Sequence, residues 1–235
     1  MNKPDEAARL EKVYGQYLER DLENSKWSDA NPGNRAMVQE RRRVLQQLLK
    51  ETGFLPLTDH RILEVGCGFG KVLAELQLWG ASPRNLYGVD LLDDSIRIAR
   101  RDYPQYQFQP ASGEHLPFGE SCFDMVLLFT VFTSILDDPV AAKVAAEVRR
   151  VLRPGGAVVW YDFRFNNPAN PQVRGVSQRA LERFFAGFAF HVQTVTLLPP
   201  LSRRLGRFTG LLYPLMVKLP WLRTHHAGVL VKPAG

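Results

Sequence analysis

The residues of this chain best suited to chemistry lie in one short stretch, Ile62-Leu63-Glu64-Val65-Gly66-Cys67-Gly68-Phe69-Gly70, and in Asp90, which closes the next apolar run, LYGVD. An apolar strand that must turn at once into a helix needs residues without Cβ, to tighten the turn and to let a ligand approach the backbone. The helix that follows offers free N–H groups and a positive dipole end to a carboxylate or phosphate. A carboxylate at the end of the second strand can accept from both hydroxyls of a vicinal diol. Together these features describe a site for a ribose-bearing ligand with an anionic end, the alternative for Asp90 being an N-cap of the following helix. A dinucleotide fingerprint, Gly-x-Gly-x-x-Gly, needs glycine where Lys71 stands, whereas the third glycine here is Gly70. No Walker lysine pattern occurs.

The elements that must position these groups alternate along the chain. Strand candidates are residues 62–65, 86–90, 106–110, 125–130, 157–162, 191–198 and 226–232. Helical periodicity falls between them at Lys71–Trp79, Asp94–Arg101, Pro139–Leu152 and Ser177–Phe188. Such alternation predicts βαβ units and a doubly wound α/β fold with a mostly parallel, seven-stranded sheet. Two further helices are expected upstream, about Glu6–Leu22 and Arg35–Glu51, separated by the turn-rich SDANPGN. A proline-interrupted insertion separates the last two strands. The expected division is a helical cap or lid over 1–56, a ligand-binding domain over 57–198 and 225–235, and a basic apolar insertion over 199–224.

The 235 residues, 45% hydrophobic and 23% charged, suit a globular domain with an appendage and exclude collagen, coiled coil and wholesale disorder. Two cysteines, Cys67 and Cys122, give no disulfide framework and point to a reducing compartment. The N-terminal MNKPDEAARLEKVYGQ contains no apolar stretch of signal-peptide length, so a cytoplasmic location is expected, with contact at the inner membrane surface as its extension. The net charge of +6 is concentrated late: no acid follows Glu182, while Arg183, Arg203, Arg204, Arg207, Lys218, Arg223 and Lys232 do. That asymmetry suggests an anionic partner, or else a solvated face.

The motifs and their order resemble the class I S-adenosylmethionine-dependent methyltransferases, in the small-molecule and lipid-acceptor branch of the methyltransferase type 11 kind. EVGCGFG is similar to that family's first motif and LYGVD to its second. SGEHLPFGESCFDMVL is similar to the third-strand loop and fourth strand, and AAEVRRVLRPGGAVVWYD to the helix, turn and fifth strand. The resemblance covers about residues 60–165 and implies a Rossmann-like methyltransferase fold. It implies S-adenosylmethionine as cofactor, with S-adenosylhomocysteine as product. The cofactor residues it implies are Glu64, Gly66, Cys67, Gly68, Gly70, Asp90, Leu91, Ser112, Gly113, Glu114 and Phe129. Ser112 stands where the family commonly has an acid facing the adenine amino group, which shifts that contact toward backbone near Gly113 and Glu114.

A sulfonium methyl needs an aligned nucleophile and exclusion of water rather than a metal, and the sequence offers no metal-ligand spacing. Substrate groups are expected at the carboxyl ends of the fourth and fifth strands. There Asp162 is the candidate base and Arg164 the candidate anion holder, the alternative being that they pair with each other or cap local backbone. Thr133, Asn166 and His225 are candidate substrate contacts, and Tyr14, Tyr17 and Trp27 candidate lid residues. His115 is expected in a loop, and His191 to pack in a strand or face solvent. Within 199–224, Leu205, Phe208, Leu212, Leu215 and Leu219 fall near helical spacing behind Arg203, Arg204 and Arg207, and Pro214 and Pro220 forbid one long helix. Such a segment suits a bilayer surface, a greasy acceptor, a dimer contact or a lid. The expected acceptor is a small or lipid-linked molecule such as a saccharide, quinone or other secondary metabolite. A nucleic acid is disfavoured, because the Asp/Asn-Pro-Pro-Tyr motif is missing after the fourth strand. Binding of the cofactor without turnover is the competing class.

Overall fold

Strands that must be covered by helices on both faces are apolar at nearly every position, and the central strands here are. In the computed structural model, which describes residues 5–23 and 28–235 (at 18–23 the backbone only), β1 (Ile62–Val65) is buried throughout and β4 (Phe123–Phe129) at all but its last residue. With β2 (Leu86–Asp90), β3 (Gln107–Pro110), β5 (Leu152–Phe163), β6 (Ala189–Leu197) and β7 (Arg223–Val231) they form one seven-stranded sheet in the order β3-β2-β1-β4-β5-β7-β6. Only β7 runs against the direction shared by the other six strands. The sheet is therefore doubly wound and mostly parallel, and its order reverses between β1 and β4, where a crevice opens at the carboxyl edge.

Alternation along the strands sends side chains to two cores. Ile62, Met125, Leu127 and Val159 meet Leu45, Leu48 and Leu49 of α2 (Pro32–Glu51) and Leu73 and Leu76 of α3 (Lys71–Leu78). Leu63, Val126, Val158 and Trp160 meet Val144 and Val148 of α6 (Asp138–Val151) and Leu181 of α7 (Gln178–Phe184). The remaining helices are α1 (Glu6–Glu23), α4 (Asp93–Asp102), α5 (Val131–Ser134), α8 (Pro199–Arg204) and α9 (Thr209–Met216). Of the two N-terminal helices, α2 packs in the core, while α1 lies over the crevice at the carboxyl edge.

Several boundaries move from their expected places for local reasons. Helix α2 starts at Pro32, because Asn31 caps it by accepting from Gly33 N (2.8 Å) and Asn34 N (3.3 Å) and proline suits the first helical position. Helix α7 stops at Phe184, and Gly187 follows in the left-handed region at φ 86°. Strand β7 begins at Arg223, so the insertion shortens to 198–222. That insertion is broken as its prolines require, into α8, α9 and two short 3₁₀ turns.

Candidate functional site

The loop after β1 is fixed from both sides. Gly66 N and Cys67 N donate to Val89 O on β2 at 2.8 and 3.0 Å, and Gly66, Gly68 and Gly70 all have φ between 51° and 75°. Gly70 is doubly required, since a Cβ there would also stand 2.6 Å from the Phe108 ring. Asp90 accepts from Gly68 N (2.8 Å) and Leu92 N (3.0 Å), tying the end of β2 to the loop. Burial raises its pKa, and these backbone donors oppose that rise. Two accepted hydrogen bonds leave lone pairs on both carboxylate oxygens for further donors.

Above these groups lies a cavity of about 410 Å³, within the range of small-molecule sites. Its wall brings together Gly66, Gly68, Asp90, Leu91, Ser112, Gly113, Glu114 and Phe129 of the expected cofactor set. Glu64, Cys67 and Gly70 stand behind the loop instead. Glu64 lies on the strand face that carries Ile62, fully buried, and burial holds its carboxyl well above the usual range. Cys67 packs in the same core, and burial pushes its thiol up.

Helix α1 closes the cavity with Ala7, Leu10, Tyr14 and Tyr17. Tyr14 shares a hydrogen bond with Ser134 Oγ, and Tyr17 Oη accepts from Asn170 Nδ2 at 2.9 Å. Arg9 forms the firmest latch: it pairs with Glu6 (2.7 Å) and donates to Ser134 O (2.5 Å) and Gln172 Oε1 (3.1 Å). Glu6 in turn accepts from Leu136 N at 2.7 Å. Burial pushes the Glu6 carboxyl up, but Arg9 and the backbone donors outweigh it and leave it below its ordinary value. Neither Glu6 nor Arg9 stood out in the sequence, since a Glu and an Arg three apart on a helix are unremarkable until their partners are known.

At the β4 end the chain turns at Thr130, a β-branched residue held at φ 58° by donation of its N–H to Tyr161 O. That conformation costs about 1–2 kcal/mol outside glycine, and Thr130 lines the cavity. Ser134, also in the wall, donates to Thr130 O at 2.6 Å.

The residues expected to handle substrate are placed differently. Asp162 is fully buried outside the cavity wall, where it accepts from Thr133 N (3.0 Å) and Trp160 Nε1 (2.6 Å) and so joins α5 to β5. Burial raises its pKa to about 7. The carboxylate proposed as a base is thus occupied by these two donors and stands away from the cavity wall. Arg164 does not pair with Asp162: its guanidinium donates to Pro220 O (3.2 Å) and Arg223 O (3.0 Å) and staples the end of the insertion. Thr133, on α5, is buried, its hydroxyl accepting from Phe163 N at 3.1 Å. Asn166 folds back to accept from Gly175 N (2.8 Å). His225 is buried in β7, with ring centroids 4.6 Å from Tyr161 and 4.1 Å from Phe163. None of the three touches the cavity. Trp27 lies outside the described residues. His115 and His191 are exposed, in a loop and on β6.

Residues 63–160 match the methyltransferase domain family. The chain is 31% identical to an O-methyltransferase of Penicillium expansum over 150 residues, 60% of this chain and 51% of that protein. It is 33% identical to the phthiotriol/phenolphthiotriol dimycocerosates methyltransferase of Mycobacterium leprae over 135 residues, 53% of this chain and 48% of that protein. The chain thus spans about half the length of these curated relatives. In three dimensions it is similar to a SAM-dependent methyltransferase of Methanosarcina mazei, with a TM-score of 0.58, 19% identity, and coverage of 79% of this chain and 98% of the other.

Proposed function

We propose, from the match of residues 63–160 to the methyltransferase domain family, that the chain is a class I S-adenosylmethionine-dependent methyltransferase that transfers a methyl group to a small-molecule or lipid-linked acceptor of apolar character. The observation that carries the reading is the convergence on one cavity of Asp90, the left-handed glycine loop and a wall whose other ionisable side chains are Glu114 and two tyrosines. Asp90, pre-set by Gly68 N and Leu92 N, holds the ribose hydroxyls. Leu91, Gly113 and Glu114 border the purine, with Ser112 Oγ occupied by Glu114 N at 3.2 Å. The loop at 66–68 faces the amino-acid end. Bound there, S-adenosylmethionine supplies an activated methyl on a sulfonium.

The chain's own task is then to align an acceptor and exclude water. Leu10, Val131, Ile135 and Val140 give the wall an apolar side, and the Phe129, Tyr14 and Tyr17 rings offer π faces to positive charge. Burial keeps the Tyr14 hydroxyl protonated beyond its ordinary range, so it serves as a neutral hydrogen-bonding group toward the acceptor. Among the described residues the only carboxylates in the wall are Asp90 and Glu114. The arrangement therefore favours in-line displacement driven by positioning, on an acceptor that needs no strong base. The relatives' names, an O-methyltransferase and a dimycocerosate methyltransferase, support a small or lipid-linked acceptor.

Calorimetry with S-adenosylmethionine, S-adenosylhomocysteine and NAD tests the cofactor. Binding of the first two without the third is expected; binding of NAD, or of none, overturns the reading. Turnover against a panel of hydroxylated amphiphiles then separates an enzyme from a protein that only holds the cofactor.

A further inference from the structure

We propose that the segment Leu198–Leu222 is a docking surface for an anionic lipid bilayer. Helix α9 is apolar on two sides. Thr209 and Tyr213 are buried, with Tyr213 donating to Glu40 at 2.6 Å and packing with Met37 and Leu197. The opposite side points outward: Phe208, Leu211 and Leu215 follow one another at spacings of three and four and are 52%, 67% and 56% exposed. The next turn adds Trp221, 70% exposed. Large apolar side chains grouped this way mark an interaction surface rather than ordinary scatter.

Charge selects the partner. Arg204, Arg207 and Lys218 flank the stripe, all exposed and in no ion pair among the described residues. No acidic residue occurs anywhere after Glu182. An outward row of Phe, Leu and Trp edged by cations, on a short interrupted helix, matches the boundary between acyl chains and anionic headgroups. No described helix is long and apolar enough to cross a membrane, so the contact is a surface one.

Topology places this surface usefully. Strands β5 and β6 are both antiparallel to β7 and hence parallel to each other. The insertion therefore leaves β6 at the carboxyl edge, the same edge on which the cavity opens. Docking there brings the cavity's edge of the sheet to the bilayer, where an amphiphilic acceptor would reside. The docking itself does not depend on the reading of the cavity.

The test is sedimentation of the full chain with phosphatidylcholine vesicles, with and without about one third phosphatidylglycerol, with no cofactor present. Binding to the anionic vesicles, weakened by salt, is expected. The triple variant Leu211→Glu/Leu215→Glu/Trp221→Glu should bind at least about tenfold more weakly, a loss of about 1.4 kcal/mol. Arg204→Glu/Arg207→Glu should lose the preference for anionic lipid while keeping its thermal midpoint. No vesicle binding, or binding undiminished in both variants, overturns the proposal. So does self-association that the triple variant abolishes in the absence of vesicle binding, which would assign the stripe to a second copy of the chain. Because the readout is vesicle binding alone, its failure leaves the cofactor calorimetry intact, and the reverse holds too.

Discussion

Gly33 and Ser202, 169 residues apart, meet backbone to backbone: Ser202 Oγ donates to Gly33 O at 3.0 Å, and a Cβ on Gly33 would stand 2.1 Å from Ser202 O. This contact seats α8 on the first turn of α2, and Asn31 reinforces it by donating to Arg203 O at 3.2 Å. Gly33→Ala should force the two backbones apart and cost about 1–3 kcal/mol, as overpacking does. Ser202→Ala removes only a hydrogen bond and should cost about 1 kcal/mol. Urea denaturation of both variants checks the order; an alanine at 33 that costs less than one at 202 would mean the insertion is loosely held.

The fold was legible because its signals are local. Short apolar runs between helical segments located all seven strands, and the Gly66–Gly70 turn and Asp90 fall where the motif places them. The acceptor side was not legible, because its residues are chosen by tertiary neighbours. Asp162 reads as a base in sequence, yet the donors that occupy it, Trp160 Nε1 and Thr133 N, come from its own strand and from α5. Arg164 reads as an anion holder, yet its partners are carbonyls of the insertion. The Arg9 latch depends on a carbonyl at 134 that no spacing rule connects to α1.

Arg9 holds α1 closed through hydrogen bonds to Ser134 O and Gln172 Oε1, while its pair with Glu6 of the same helix orients that carboxylate toward Leu136 N; bonds to charged groups contribute about 1.5–3 kcal/mol each when partly buried. Arg9→Ala should therefore weaken S-adenosylmethionine binding by roughly tenfold or more while leaving global stability nearly unchanged. Calorimetry and limited proteolysis within α1 read the two effects. Unchanged affinity together with faster cleavage would show that α1 covers the cavity without contributing to binding. Protonation of Glu6 should act in the same direction: its pKa lies below the ordinary 4.5, so the latch is intact above that pH and fails as pH falls through the lowered value.

Asp162 separates a structural role from a catalytic one. In Asp162→Asn, Oδ1 can still accept from Thr133 N, but the new amide then presents donors to Trp160 Nε1, itself a donor. A buried mismatch of this kind costs about 1–3 kcal/mol, so denaturation should show that loss. Methyl transfer at a temperature where the variant is folded should fall by less than about tenfold, whereas removing a general base costs about 10²–10⁴. A fall in that larger range, with loss of an ionisation near pH 7 in the rate profile, would restore Asp162 as the base.

His225 makes the fold acid-sensitive. Burial first, then the nearby Arg41 and His226, lower its pKa from the ordinary 6.5 to about 3. The unfolded chain therefore takes up a proton below pH 6.5 that the folded chain refuses until about pH 3. Stability from this residue is fully present above pH 6.5 and declines as pH falls below it, by about 2 kcal/mol between pH 6.5 and 5. Asp162 works in the opposite sense, since its raised pKa makes the folded state the better proton acceptor up to about pH 7, so the wild-type profile alone blends the two. His225→Phe isolates the histidine: an aromatic ring of similar breadth fits between Tyr161 and Phe163, and the lost contact to Thr224 Oγ1 (2.9 Å) is a single hydrogen bond. Urea denaturation at pH 7 and pH 5 should show the variant losing about 2 kcal/mol less than the wild type on acidification. Equal losses would place the imidazole in contact with water and remove it from the core.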